Sequence, residues 1–473
     1  MLTYSLEGLG SETLYEHLYR MIRRDIRSGA LKAGEALPSK RSFARQLGIS
    51  IVTVENAYAQ LQMEGYIEAV PRKGFYVADL GQEEFFPAPE MSPAVAGETE
   101  ATRQEPDWFA DFSGKQTHAD NFPFTTWARV SREVLSTMQE ELMENAPAGG
   151  IMRLRCRIAE HLRQFRGMEV RPEQILIGAG TDYLYGLLIQ LLGTNVVYAS
   201  ENPGYRKLVD VLGALGAEVR LIGLDHKGIR VNELESSGAQ VVHVTPSHHF
   251  PTGITMPAAR RFELLGWAKK QPDRYIIEDD YDSEFRMNGK PLPALFSEDR
   301  AGRVIYMNTF TKTLASTIRI GYMVLPLPLL ERFRARLSFY SCSVSNFEQY
   351  TLARFMEKGC LERHISRVRN ASRRKRDWLM ECMARSGMDD MVEISEENAG
   401  LHFIMKLKVP VEPVKLEEQL RSRGIRLPHL EQYWIGEMPD PMPKQSQYLV
   451  NYAEIPMERI EEAVQRISEA MKQ

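Results

Sequence analysis

Apolar positions at the start of the chain are spaced for helices. Between Ser11 and Ser28, Leu14, Leu18, Met21, Ile22 and Ile26 recur at helical intervals, and Gly29 ends the run as a C-terminal cap would. Ser39, after Pro38, can cap a second segment, in which Phe43, Ala44 and Leu47 form one apolar face before Gly48. A third helix opens at Ser50 and carries Val54, Ala57, Tyr58, Leu61 and Met63. After Gly65 the period changes: Tyr66–Val70 reads as a strand, Pro71-Arg72-Lys73-Gly74 as a tight basic turn and Phe75–Val77 as the return strand. Three helices and a hairpin thus fit in the first 80 residues.

From Asp79 to Asp107 the periodicity dissolves. Pro87, Pro89, Pro93 and Pro106 punctuate a stretch bearing Glu83, Glu84, Glu90, Glu98, Glu100 and Glu105, which reads as an acidic linker. Beyond it, apolar runs at Gln174–Ile177, Val196–Tyr198, Glu218–Leu221, Gln240–Val244, Tyr275–Ile277 and Arg303–Tyr306 alternate with helical runs. That alternation predicts a mainly parallel sheet with helices on both faces. From about Ser345 a long helical stretch, then strands near Leu401–Phe403 and Gln447–Leu449, predict a smaller terminal α/β subdomain. The expected organisation is an α+β head over 11–78, a linker over 79–107 and an α/β unit over 108–473.

At 473 residues the chain exceeds one ordinary core, in keeping with several domains. Its formal net charge of -4 excludes a surface basic all over, so any nucleic-acid contact must be confined to one region. Cys156, Cys342, Cys360 and Cys382 are scattered, without the close Cys/His spacing of a metal site or a disulfide framework; reduced thiols and no metal are expected. The N-terminus lacks a secretory pattern, and no apolar run approaches the ~18 residues of a membrane span. A cytoplasmic protein without membrane contact is the expectation.

The second and third helices, separated by Gly48-Ile49, have helix-turn-helix proportions, a motif that places its second helix in the major groove. Ser50, Thr53, Glu55 and Asn56 are then candidates to face bases, and Lys40, Arg41, Arg45, Arg72 and Lys73 to hold phosphates. On composition alone, a helical dimerisation domain with an ordinary solvated basic face fits equally. The words Leu37-Pro38-Ser39-Lys40-Arg41, Ala44–Ser50, Glu64-Gly65-Tyr66-Ile67 and Arg72–Val77 together resemble the winged-helix domain of the GntR family. Ile51 stands where that family often has arginine, which shifts affinity toward dimer formation and the wing.

A further group of words carries cofactor chemistry. In Asn308-Thr309-Phe310-Thr311-Lys312-Thr313-Leu314 a lysine follows an apolar strand among hydroxyl residues, where a depressed pKa would let it condense with an aldehyde. Thr309, Thr311 and Arg319 can donate to a phosphate, and Gly178-Ala179-Gly180-Thr181 follows a strand and opens a helix whose N–H groups can join them. Tyr275–Tyr281 ends a strand in carboxylates, with Asp279 suited to a pyridine nitrogen and Tyr281 to a ring oxygen; Asp280 and Asp282 read as a solvated acidic turn. Tyr205, in Glu201–Tyr205, can stack on a ring.

In order and spacing these words resemble fold-type I aminotransferases and, joined to the head, the MocR (GabR-type) subfamily of GntR regulators. The resemblance implies pyridoxal 5'-phosphate as cofactor, with Lys312 as its Schiff-base lysine. Asp279 would face the pyridine nitrogen, Tyr281 the 3-oxygen and Tyr205 the ring, while Gly180, Thr181, Thr309, Thr311 and Arg319 would hold the phosphate. Val244–Gly253 matches too, but Phe250 replaces the asparagine usual in catalytic aminotransferases, and His248 and His249 either line the pocket or pack the core. Leu430 falls where the resemblance places a carboxylate-binding arginine, leaving Arg206 and Lys207 as anion contacts; Arg426 substitutes only if its loop differs.

The implied function is a regulator that senses an amino compound, such as GABA, D-alanine or another amino acid, through external aldimine formation at Lys312. Its partners would be operator DNA and a second copy in a head-to-tail homodimer. Two alternatives stand beside it: the cofactor itself as effector in vitamin B6 control, and a working aminotransferase with a DNA-binding head.

Overall fold

The computed structural model describes residues 4, 13–80, 107–114, 121–287, 292–397, 399–408, 411–436 and 446–472. Its chain falls into two units, Met1–Glu105 and Pro106–Gln473. Residues 81–106, most of the expected linker, lie outside the described residues, as do Ser11 and Glu12.

The first unit consists of α1 (Leu14–Arg27), α2 (Lys40–Leu47), α3 (Ile51–Met63), β1 (Ile67–Val70) and β2 (Gly74–Val77). Local chemistry sets the boundaries. The Glu16 carboxylate accepts from the N–H of Thr13 at 3.0 Å, Ser39 Oγ accepts from Ser42 N at 3.3 Å, and Ser50 Oγ accepts from Thr53 N at 3.0 Å. Gly48, at φ 66°, closes α2 in the left-handed region and makes the turn into α3. Leu18, Ile22, Phe43, Val54, Tyr58 and Leu61 form the core, and the Tyr58 hydroxyl donates to the carbonyl of Pro38 at 2.9 Å. Met63, expected among the apolar face of α3, is 78% exposed. Nine positions after Val54, it lies about half a turn from the buried side. The hairpin pairs Ile67 with Val77 and Val70 with Gly74.

The second unit carries β3 (Ala110–Asp111), β4 (Ile175–Gly178), β5 (Val197–Asn202), β6 (Glu218–Asp225), β7 (Gly228–Ile229), β8 (Val241–Val244), β9 (Tyr275–Asp279), β10 (Val304–Thr309), β11 (Gly321–Val324), β12 (Val392–Ser395), β13 (His402–Leu407), β14 (Ile425–Arg426) and β15 (Gln447–Asn451). Eight strands make one sheet in the order β4-β11-β10-β9-β8-β5-β6-β7. Pairing from β10 through β9, β8 and β5 to β6 is parallel, whereas β11 runs antiparallel to both β10 and β4. Both faces are buried. Ile175, Ile177, Tyr306 and Tyr322 enter one apolar cluster; Leu176, Ile305, Met307 and Met323 enter another. The period of two therefore carries apolar residues to both sides, as a helix-covered sheet requires.

A smaller antiparallel sheet, β12-β13-β15, packs with the C-terminal helices around Phe403, Leu416, Tyr452 and Val464. The helical stretch expected from about residue 345 is two helices, Asn346–Glu357 and Cys360–Arg385, separated at Gly359, φ 62°. A left-handed glycine there turns the chain between them.

Candidate functional site

Because β4, β5, β8, β9 and β10 run in one direction, their carboxyl ends share one edge of the large sheet. Loops leaving that edge carry Gly180, Tyr205, His248–Phe250, Tyr281 and Lys312, and β11 enters there just after Arg319. Ligands of open α/β sheets bind at such an edge.

Asp279, the last residue of β9, is buried. Its Oδ2 accepts from the Tyr185 hydroxyl at 2.9 Å and lies 3.4 Å from His243 Nε2, while Tyr185 and His243 are 3.0 Å apart. Oδ1 has no hydrogen-bond partner among the described residues. Periodicity alone gave no reason to single out Tyr185 and His243. The available signal was a phenol on the buried face of the helix Thr181–Leu192 and an imidazole within the otherwise apolar β8.

At the next loop, Gly180 (φ 86°) caps the helix that Thr181 begins. A Cβ on Gly180 would lie 2.9 Å from the guanidinium carbon of Arg319, so glycine both permits the backbone and leaves the cation room. Arg319, itself left-handed at φ 53°, donates to Ala179 O at 3.3 Å and to Asp182 Oδ2 at 3.1 Å. Lys207 Nζ reaches the same carboxylate oxygen at 2.8 Å, so this cation stands with Arg319 at the helix N-terminus. Arg206 points elsewhere, to the carbonyl of Trp434 at 3.3 Å. Thr309 Oγ1 accepts from the N–H of Thr311 at 3.3 Å.

Lys312 Nζ, half-buried, donates to the carbonyl of Gly114 at 3.2 Å. Nearby, His248 Nδ1 lies 2.7 Å from Asp282 Oδ2 and 3.3 Å from the Tyr281 hydroxyl. His402 is tilted over His248 with centroids 4.2 Å apart, and burial, with the His248 ring and Lys312 close by, holds it well below the usual imidazole range. Burial, reinforced by Asp282 and Asp279, pushes the Tyr281 phenol well up. One carboxylate oxygen of Asp282 and one ring nitrogen from each of the two imidazoles lie within 4.8 Å of one another.

Phe250 meets Tyr433, His402, Tyr205 and Tyr281 edge-on, at 5.1, 6.0, 6.4 and 6.5 Å between centroids. Leu430 begins a short 3-10 turn, Leu430–Tyr433. Arg426 lies in β14 with its guanidinium over the Trp108 ring and 3.6 Å from Asp111 Oδ2.

The acidic turn is not solvated. Asp280 and Asp282 are each 2% exposed. Asp280 Oδ2 pairs with Arg166 at 2.9 Å and accepts from Tyr306 and Ser283. Two buried carboxylates after a buried strand are tolerable only with such partners. His249 is also core: its Nδ1 lies 2.7 Å from Thr252 Oγ1, its Nε2 3.4 Å from Glu201 Oε2.

In the first unit, Arg41, Arg45, Asn56, Arg72 and Lys73 are exposed around α2, α3 and the hairpin turn. Ser50 Oγ and Thr53 Oγ1 lie 2.8 Å apart, engaged in capping α3. Lys40 Nζ reaches Glu55 Oε1 at 2.7 Å and sits over Phe75, tying α2 to α3.

Residues 14–77 match the family described as bacterial regulatory proteins, gntR family, and residues 112–467 the one described as aminotransferase class I and II. The "Probable rhizopine catabolism regulatory protein MocR" of Rhizobium meliloti is 30% identical, covering 97% of this chain and 93% of its own. The chain belongs to the MocR-type subfamily of GntR regulators. Its relatives include the HTH-type transcriptional regulator YdeL of Bacillus subtilis, 37% identical over 88% of both chains. The pyridoxine biosynthesis transcriptional regulator PdxR of Corynebacterium glutamicum is 31% identical over 89% of this chain and 88% of its own. A multiple substrate aminotransferase from Thermococcus profundus superposes with a TM-score of 0.66 at 25% identity, covering 80% of this chain and 96% of that one. This MocR-type protein is thus a transcriptional regulator with an aminotransferase-like domain. No helix among its described residues is long and apolar enough to cross a membrane.

Proposed function

We propose that this regulator holds pyridoxal 5'-phosphate at the carboxyl edge of its large sheet and responds there to an amino compound that competes for the bond made by Lys312. The observation that carries the reading is Asp279 Oδ1, a buried carboxylate oxygen without a partner among the described residues, at the edge where Lys312 and Tyr205 also stand. Such an atom is costly unless a ligand donates to it. The cradle at Gly180 adds a second fit: a Cβ there would crowd Arg319, which with Lys207 and the helix N-terminus supplies cations and N–H groups for a phosphate.

When bound, pyridoxal phosphate supplies an aldehyde that condenses with amines and a ring that withdraws electrons. The chain's own groups do the rest. Lys312 would provide the amine, and Asp279, fixed by Tyr185 and His243, would accept from a protonated pyridine nitrogen. Tyr281, beside His248, would donate toward a ring oxygen, and Tyr205 would cover the ring. Gly180, Thr181, Thr309, Thr311 and Arg319 would surround the phosphate. Of the candidate effector contacts, His248 would face the effector, while Lys207 stands beside the phosphate cradle, Arg206 is held by the carbonyl of Trp434 and His249 lies further back against Glu201. The protein would act in the cytoplasm as a head-to-tail homodimer, for which Phe124, Phe339 and Phe347 offer exposed apolar surface. Arg41, Arg45, Arg72 and Lys73 would lie along phosphates of operator DNA. The effector controls transcription if it binds the two arrangements of the heads with different affinity.

Lys312→Ala should lose the yellow absorbance gained on titration with pyridoxal phosphate, and with it the effect of amino compounds on operator binding. Full response in that variant overturns the covalent reading. A second reading, in which the cofactor is itself the signal, is favoured by the kinship with PdxR and by Leu430, which offers no charge to a carboxylate. Operator binding that changes with pyridoxal phosphate alone would select it. Sustained turnover of an amino acid with a keto acid would instead select an aminotransferase.

A further inference from the structure

We infer that α3 recognises its operator chiefly through thymine methyl groups and an adenine, read by Ile51, Val52 and Asn56; the inference rests on the DNA-binding reading of the head. The buried side of α3 is Val54, Ala57, Tyr58 and Leu61, which leaves positions 51, 52, 55, 56 and 59 facing outward. Ile51 is 47% and Val52 61% exposed, at the end of the helix nearest its turn. Two adjacent branched apolar side chains are stabilised when a partner covers them.

The polar neighbours are already engaged. Ser50 and Thr53 bond to each other and cap the helix, and Glu55 is held by Lys40 at 2.7 Å. Asn56, exposed and one turn beyond Val52, is the remaining polar side chain among those five positions. The occupant is argued from charge: Arg41 and Arg45 on α2 and Arg72 and Lys73 in the hairpin turn are exposed in the same small unit, complementary to a phosphate backbone. In the major groove the chemistry that matches isopropyl and sec-butyl groups is the thymine C5-methyl, and the chemistry that matches a carboxamide is the N6/N7 edge of adenine.

The probe is a duplex selected from a random library by the full-length protein, in which each thymine in turn is replaced by deoxyuridine, removing one methyl group. Binding should weaken about four-fold at one or more positions, the equivalent of ~0.8 kcal/mol for one buried methylene. In Ile51→Ala or Val52→Ala the matching position should lose its sensitivity, with an unchanged salt dependence of binding. Asn56→Ala should lose at least about five-fold discrimination at one adenine. All three side chains are exposed, so these variants spare the core; an unchanged circular dichroism melt verifies that. Selected duplexes indifferent to every deoxyuridine replacement overturn this inference alone, whereas failure to select any duplex overturns it together with the DNA-binding reading.

Discussion

The Tyr185 hydroxyl donates to Asp279 Oδ2 at 2.9 Å across 94 residues of chain, joining a helix of the large unit to the end of a central strand. A hydrogen bond to a buried charge contributes roughly 1.5–3 kcal/mol. Tyr185→Phe should therefore weaken pyridoxal phosphate binding by about ten-fold or more, and Asp279→Ala further still. Absorbance titration checks both; equal affinity in Asp279→Ala would remove that residue from the site.

At Gly180 a methyl group meets both a positive φ of 86° and the Arg319 guanidinium. Strain of this kind costs on the order of 1–3 kcal/mol. Gly180→Ala should lower affinity for pyridoxal phosphate about ten-fold while leaving pyridoxal, which lacks the phosphate, nearly unaffected. Parallel losses for both ligands would argue against a phosphate cradle.

The wing offers a test by backbone conformation. Arg72 adopts φ 64° in the hairpin turn, a region glycine occupies without strain, so Arg72→Gly removes the cation and preserves the turn. Arg72→Gly and Arg41→Ala should each weaken operator binding and reduce the slope of log affinity against log salt by about 0.9 per lost phosphate contact. An unaltered slope in either variant dismisses that residue's contact.

Burial pushes the Glu201 carboxyl up to about 8, although it accepts from the N–H and hydroxyl of Thr245. A raised folded-state value means that its contribution to stability is full below the ordinary carboxyl range and is lost as pH rises toward about 8. Glu201→Gln, which retains an oxygen for Thr245, should melt above the parent at pH 9 and close to it at pH 4. A difference between the two proteins that does not grow with pH would contradict this account.

Much of the site was legible because it is built from strand ends and turns, which sequence marks well. The alternation of apolar runs located β9 and β10, and with them Asp279 and Lys312. The antiparallel β11 was not drawn from that alternation, because four apolar residues after a glycine carry no mark of direction. At Asp280 and Asp282 a solvated turn is a plausible reading of the sequence, because a carboxylate run looks the same whether water or Arg166 answers it, and Arg166 is 114 residues away from Asp280. The outward cation expected at Lys40 is partly spent on Glu55, a pairing set by how α2 packs on α3.

The sequence by itself determined the helix-turn-helix head with its wing, the doubly wound unit that follows it in the chain and the places where cofactor chemistry would lie. It could do so because caps, turns and apolar periods are local properties of a few neighbouring residues. Only the tertiary structure decided which polar groups are already satisfied and which remain open, leaving Asp279 Oδ1 without a partner among the described residues and Ile51 and Val52 facing outward. Satisfaction of a polar atom, or exposure of an apolar one, depends on neighbours brought from distant parts of the chain.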